Sequence, residues 1–333
     1  FHYQGHPNPA GAVNMMSAAL GAMTAGGVAL LASRGGRLLL LNRGDVETRE
    51  MAVNNAAAGF AAGLCYALGR IVWSQSVIAE THALTAFLLA LFLLLCLRWA
   101  DGWKQGERLL AFLFGLGLAA THFLVILAPV VLAAAAMAGG RRHLRAWMAA
   151  FIMLAVSLAW SWHSLRYGPM CAALALLLAP ALLGSSALFS RDSRLPAALF
   201  GLMILGLLPI LYIPLASAHN PPFNWGYART LEGFLHVITR GQYERMVVAD
   251  VFSYKFLLQL GGYGKTLLAQ FSWPIATIGF VPFVLFPMFK RRGLAWMGVM
   301  TLGFFTASAG VTALMNPHLY LQILLIRPTP YAA

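Results

Sequence analysis

Residues 83–97, read as ALTAFLLALFLLLCL, carry no charged side chain, and runs of similar character recur along the whole chain. A run of about 20 apolar residues is what a helix needs to cross bilayer hydrocarbon. Hydrocarbon offers no partner to a backbone N–H or C=O, so each span must satisfy its own backbone as a helix or belong to a closed barrel. Runs of this length fit helices. The chain of 333 residues is 60% hydrophobic and only 10% charged, with a mean hydropathy of +0.74. Soluble domains carry roughly 25% charged residues. A soluble fold of this size could not hide so much apolar surface, because much of any folded surface faces water. The expected class is all-α, a polytopic transmembrane helical bundle in the lipid bilayer, read as a single domain over 1–333.

Apolar spans are expected near 12–33, 51–70, 81–98, 109–120, 123–137, 147–164, 170–190, 196–216, 268–289 and 294–314. The 51–70 segment opens with Asn54 and Asn55 and is rich in small residues, which suits close packing inside the bundle. Basic clusters occur at Arg34/Arg37/Arg43/Arg49, Arg98/Lys104/Arg108, Arg141/Arg142/Arg145, Arg191/Arg194 and Lys290/Arg291/Arg292, and hold 15 of the 23 lysines and arginines. Cytoplasmic loops carry such clusters. With these loops inside, 1–11, 71–80, 165–169, 217–267 and 315–333 fall outside. The scheme needs an even number of crossings between Lys104/Arg108 and Arg141/Arg142. Each half of 109–137 measures only roughly 18–22 Å as a helix. A short helical hairpin turning at Thr121-His122 is expected, and a single long tilted helix is its rival.

The 217–267 segment is the one large outside loop. It opens with His219-Asn220-Pro221-Pro222-Phe223-Asn224-Trp225-Gly226, which is turn chemistry mixed with aromatics. Residues 230–243 then read as an amphipathic helix with Leu231, Phe234, Leu235 and Ile238 on one face, suited to lie in the membrane interface. The glycine-rich Gly261-Gly262-Tyr263-Gly264-Lys265 reads as a flexible turn ahead of the next span. The net charge of +13 sits in loops between apolar runs, which argues against nucleic acid as a partner. The three cysteines, Cys65, Cys96 and Cys171, lie far apart in apolar segments and read as packing residues. No histidine spacing signals zinc, and phosphate-loop and dinucleotide fingerprints are absent, so no metal or cofactor is expected.

Ten acidic residues limit where proton chemistry can occur. Asp45, Glu47, Glu50, Asp101, Glu107 and Asp192 sit beside arginine or lysine in inside loops and read as solvated charges. Glu232, Glu244 and Asp250 lie in the outside loop. Glu80 alone borders an apolar span closely enough for partial burial. It belongs to Trp73-Ser74-Gln75-Ser76-Val77-Ile78-Ala79-Glu80-Thr81-His82, which gathers an indole, an amide, hydroxyls, a carboxylate and an imidazole at the rim of 83–97. Polar groups at such a rim are functional candidates by default. Glu80 can act as a base or position a hydroxyl. It can equally pair with Arg70 or an arginine of the long loop and hold helix ends together.

Two stretches resemble a large family of bacterial polytopic membrane proteins, long of unknown function, whose vertebrate relative is a transmembrane protein O-mannosyltransferase. One is Trp73 to Glu80. The other runs from Tyr212-Ile213-Pro214-Leu215 through Asn220 to Gly226 and Arg229-Thr230-Leu231-Glu232-Gly233-Phe234 to Thr239-Arg240-Gly241-Gln242-Tyr243. Val13-Asn14-Met15-Met16-Ser17 is similar to the start of the family's second transmembrane helix. The resemblance spans roughly 13 to 290 and implies a C-type glycosyltransferase-like fold in a bacterial inner membrane. It implies a polyprenyl-phosphate sugar donor and a hydroxyl acceptor on protein or glycan, with transfer on the extracytoplasmic side and mannose as the candidate sugar. The family's usual catalytic acid lies in a first outside loop with a Gly-Asp-Ser-Gly-Glu-like motif, which these residues do not contain. The chain is therefore expected to be a fragment lacking that loop and the first helix, or else a homologue without the catalytic acid, with Gly5-His6-Pro7-Asn8-Pro9 a weak echo of the motif that follows.

Glu80 is the candidate catalytic carboxylate within these residues, on the acceptor side if the loop acid takes the proton. Trp73, Gln75, His82, His122, Asn224, Trp225, Arg229, Arg240 and Tyr243 are the candidate substrate contacts. Arg229, Arg240 and Arg245 suit a phosphate, which guanidinium binds in bidentate fashion. Trp225 or Tyr243 suits stacking on a sugar. The alternatives are a transporter or flippase-like carrier, or a non-catalytic membrane scaffold. A carrier would favour inverted repeats with broken helices in matching halves, and no repeat is visible.

Overall fold

The computed structural model describes residues 2–3, 6–7, 9–42, 44–78, 80–168, 171–172, 174–176, 178, 194–221, 224–239, 241 and 247–317. These form two compact units, Phe1–Leu97 with Met246–Ala333, and Arg98–Arg245. The described residues are helical except for loops and a tiny hairpin in which His2–Tyr3 pairs antiparallel with His6–Pro7. Six helices are long and apolar enough to cross a membrane, and a bent pair makes a seventh candidate.

The first unit is built on a long helix, α1 (Pro9–Leu40), and its antiparallel neighbour, α2 (Arg49–Ala67). The Thr48 hydroxyl accepts from Met51 N and caps the start of α2. Gly59 and Gly63 are spaced i, i+4, so they share a face, and that face meets α1. A Cβ on Gly59 would stand 2.5 Å from the Ala29 carbonyl oxygen, and one on Gly63 2.9 Å from that of Ala25. Small residues thus let the two backbones touch. The same stripe corrects the expectation that α2 lies inside the bundle. Only Gly59 and Gly63 are buried, while Val53, Phe60, Leu64 and Leu68 are exposed. Small residues occupy one face of α2, and its larger apolar residues remain on the surface.

After Ala67 the chain bends by 66° into a short helix, α3 (Arg70–Ser76). The bend leaves Ile71 N without a helical partner, and the Gln270 side chain supplies one at 3.0 Å. The span α4 (His82–Ala100) follows, close to its expected limits.

The later helices of this unit begin earlier than expected. Ser253 caps a helix at Tyr254, and Gly261 to Lys265 lie inside Tyr254–Ile278 rather than in a turn. Glycine is more frequent in transmembrane helices than in soluble ones, and a Cβ on Gly261 or Gly264 would meet nothing within 4 Å. The expected loop of 217–267 therefore ends at Ser253. The helix is broken near Ser272 (φ 63°) ahead of Pro274. The span Arg291–Met315 then packs on α1, where Gly293 lies against Leu38 and Leu39 and Lys290 N donates to Leu39 O at 3.0 Å.

Asn316 ends that span in the left-handed region (φ 39°). Its Oδ1 accepts from Lys255 Nζ at 3.1 Å and from Gln259 Nε2 at 3.0 Å, and its Nδ2 donates to Val247 O. The fully buried Gln259 also donates to Pro317 O at 2.7 Å.

The second unit opens with the last residues of α4 and a tight turn, then α5 (Gly106–Ala120). Thr121 is extended (φ −157°, ψ 126°) and stops α5. A 3-10 turn, His122–Leu127, leads into α6 (Ala128–Ser164), which Gly140 breaks with φ 65° and ψ −158°. The expected hairpin is present. Glu107, at the start of α5, is hydrogen-bonded to His143, just after the break, while Phe114 further along α5 stacks on Phe151 with centroids 5.0 Å apart. Residues 122–139 thus run back to the end where α5 began, and 141–164 runs alongside α5. The rival, one long tilted helix through 109–137, would instead hold Glu107 and His143 roughly 50 Å apart.

Two glycines weld α5 to α7 (Arg194–Leu207). A Cβ on Gly115 would run into the Met203 carbonyl oxygen, and one on Gly206 into that of Phe112. The 3-10 turn Leu208–Leu211 and α8 (Tyr212–Ala218) extend α7, and α9 (Leu231–Ile238) closes the unit. Most of the expected 170–190 span lies outside the described residues.

Candidate functional site

The Trp73–His82 stretch lies in the first unit, on α3, a surface bend and the first residue of α4. Glu80 is exposed rather than partly buried. It falls in a bend closed by its own N–H donating to Ile78 O at 2.9 Å, two residues short of the apolar helix. Among the described residues its carboxylate has no hydrogen bond or ion pair, to Arg70 or to any other side chain. His82 is exposed at the start of α4, Trp73 is 63% exposed, and Gln75 is half-buried. The hydroxyls are used locally: Ser74 Oγ donates to Ile71 O at 2.9 Å and Ser76 Oγ to Val72 O at 2.7 Å. What this stretch offers a ligand is therefore an open carboxylate, an imidazole and an indole.

The second stretch lies in the second unit and is organised by a buried hydroxyl. Ser217 Oγ donates to Asn224 Oδ1 at 2.6 Å and accepts from Arg229 N at 3.0 Å. Asn224 Nδ2 returns to Ser217 O at 3.1 Å. Both ends of the Asn224 amide are thereby engaged, so this side chain folds the loop and presents what surrounds it. Arg229 is exposed, and its Nη1 donates to Asn220 Oδ1 at 2.6 Å. The turn needs left-handed backbone at Asn220 (φ 47°), Gly226 (φ 72°) and Tyr227 (φ 49°). At Gly226 a side chain would also strike Val237, 2.6 Å from the added Cβ.

The amphipathic helix is real but shorter than expected, Leu231–Ile238, with Thr230 Oγ1 accepting from Gly233 N at its start. His122 and Trp225 open 3-10 turns, and their side chains lie outside the description. Arg240, Tyr243 and Arg245 lie outside the described residues.

Sequence reasoning missed the role of Ser217, whose hydroxyl looks ordinary in a helix end. It also misread Glu107. This residue is 5% exposed, with His143 Nδ1 2.7 Å from Oε1 and Trp147 Nε1 donating to the same oxygen at 3.1 Å. A signal was available: Glu107, Leu110, Ala111 and Phe114 recur at helical spacing and all are buried.

Residues 3–146 match the family model described as protein O-mannosyl-transferase TMEM260 N-terminal domain. The match relates this segment, less than half of the chain, to that family. It contains Val13–Ser17, Trp73, Gln75, Glu80, His82 and His122, while the Ser217–Arg229 loop falls beyond it. No curated protein and no solved structure matches the chain.

Proposed function

We propose that this protein is a membrane glycosyltransferase of C-type architecture in a bacterial inner membrane. It moves a sugar, mannose in the leading case, from a polyprenyl-phosphate donor to a hydroxyl of protein or glycan on the extracytoplasmic side. The observation that carries this reading is the match of 3–146 to an O-mannosyltransferase family model, with an exposed Glu80 inside it.

In the transfer the acceptor oxygen bonds to the anomeric carbon and the bond from that carbon to the phosphate oxygen breaks. The electron pair leaves with the polyprenyl phosphate, and a carboxylate takes the acceptor proton. In this reading Glu80 serves the acceptor side, either as that carboxylate or as the group that orients the hydroxyl, with Gln75 and His82 as polar neighbours and Trp73 as a stacking face. Arg229 is the donor-side cation. Asn220 fixes one of its amino groups and leaves the others for phosphate oxygens. Trp225, Arg240 and Tyr243 complete the donor contacts, and His122 is a further polar contact.

Membranes containing the protein, given radiolabelled polyprenyl-phosphate mannose, are expected to pass label to protein or glycan. Glu80→Gln is expected to lower transfer by about 10² to 10⁴, the usual contribution of a positioned acid or base, with unchanged expression. Label that crosses the bilayer without changing partner would replace this reading with a carrier.

A further inference from the structure

Six cationic side chains gather at one end of the second unit. Arg98 belongs to the last turn of α4, Lys104 to the turn that follows, Arg108 to the first turn of α5, and Arg141, Arg142 and Arg145 to the helix after the break at Gly140. All six are exposed. Their convergence follows from the contacts beneath them. Glu107 Oε1 joins α5 to His143 and Trp147, and the Trp99 ring lies 5.9 Å from that of His143 and 6.3 Å from that of Trp147. The Arg98 guanidinium lies over Trp103 at 5.4 Å, and Arg145 Nε donates to Arg141 O.

Two acids share this region. Glu107 is buried and turned inward to His143 and Trp147, and Asp101 is the exposed acid of the turn. The outward charge is therefore strongly positive. Directly beside it the surface becomes apolar, with Leu109 on α5 and Met148 and Ile152 on the neighbouring helix 45%, 46% and 49% exposed. Cations above an exposed apolar strip match the two ends of one kind of ligand, an anionic head on acyl chains.

We infer that this end of the unit binds anionic phospholipid headgroups. The phosphate oxygens accept from Arg108, Arg141 and Arg145, while the chains lie along Leu109, Met148 and Ile152. Guanidinium suits this role because its planar fork meets phosphate in bidentate fashion and is weakly hydrated. Basic residues near a charged bilayer surface each contribute about a fivefold factor, and salt screens it.

The test titrates the full chain, purified in neutral detergent, with phosphatidylglycerol or phosphatidylcholine and counts bound lipid by native mass spectrometry. Phosphatidylglycerol is expected to bind at least tenfold more tightly. The triple variant Arg108→Gln, Arg141→Gln, Arg145→Gln is expected to lose roughly 100-fold at low salt, while the corresponding Arg→Lys triple variant keeps most of the preference. Equal affinity for the two lipids would overturn the inference. So would an unchanged Arg→Gln triple variant, or displacement of the lipid by millimolar inorganic phosphate or by oligonucleotide. If the Arg→Gln triple variant unfolds, the wild-type salt series decides: affinity falling with sodium chloride supports the site, and a flat series removes it.

Discussion

Ser217 shows how one hydroxyl can hold a loop. It donates to Asn224, accepts from the Arg229 backbone, and is 5% exposed. Ser217→Ala removes both contacts and leaves the Arg229 N–H and the Asn224 carbonyl without their partner. The expected loss is about 1–3 kcal/mol, read as a lower melting temperature in detergent, together with faster proteolysis after Arg229. Glu107 makes a sharper case. Glu107→Gln keeps an acceptor for Trp147 and should cost about 1 kcal/mol, whereas Glu107→Ala strands both the indole N–H and His143 and should cost roughly 3 kcal/mol. Equal losses in the two variants would mean that the side chain only fills space. The sequence made the chemical character of such residues legible but not their partners. Glu80 was identifiable as a polar group at a membrane rim, yet its exposure depends on where α4 begins, and the bend at 77–81 moves it off the apolar helix. The spacing of Glu107 with Leu110, Ala111 and Phe114 marked a buried face, but its partners and the Asn224 clamp could not be read without knowing that 143 returns to 107 and 217 to 224.

At the scale of elements, seven of the ten expected apolar runs fall on the six helices long and apolar enough to cross a membrane, and the 51–70 run falls on the bent pair. Helix ends were found less well. The Tyr254–Ile278 helix starts among glycines and a lysine that read as loop, since a membrane helix tolerates glycine where nothing approaches its surface. Helix pairing depended on small residues, and here the sequence was half right. It marked α2 as a close-packing helix but gave no way to see that only the Gly59/Gly63 face packs. This asymmetry is testable. Gly59→Leu would drive a side chain into Ala29 and Ser33, at a cost of about 1–3 kcal/mol or more. Phe60→Ala, at a position 70% exposed, should change the melting temperature in detergent little. A large effect at Phe60 would show that this face carries a protein partner rather than lipid.

For the whole molecule, function turns on sidedness, which parity of crossings sets. The α5 hairpin returns residue 141 to the end where residue 104 lies, because Glu107 and His143 touch. In a background with Cys65, Cys96 and Cys171 replaced, cysteines at Lys104 and Arg141 should react with a membrane-impermeant maleimide from one and the same side. Reaction from opposite sides would require 105–140 to cross the bilayer an odd number of times, against the Glu107–His143 bond. If α4, long and apolar enough to cross, passes through the bilayer once, a cysteine at Trp73 should react from the other face. A cysteine at Tyr227 then tests the transferase proposal itself. From residue 141, the second half of α6 and the Arg194–Ala218 span, together with the crossing expected of 170–190 from its sequence, make three, an odd number, and on that count Tyr227 should share the face of Trp73. If Tyr227 instead reacts with the Lys104 side, the carboxylate stretch and the arginine loop cannot serve a common lipid-linked sugar. A carrier or scaffold would then be the better account of the polar residues in this membrane protein.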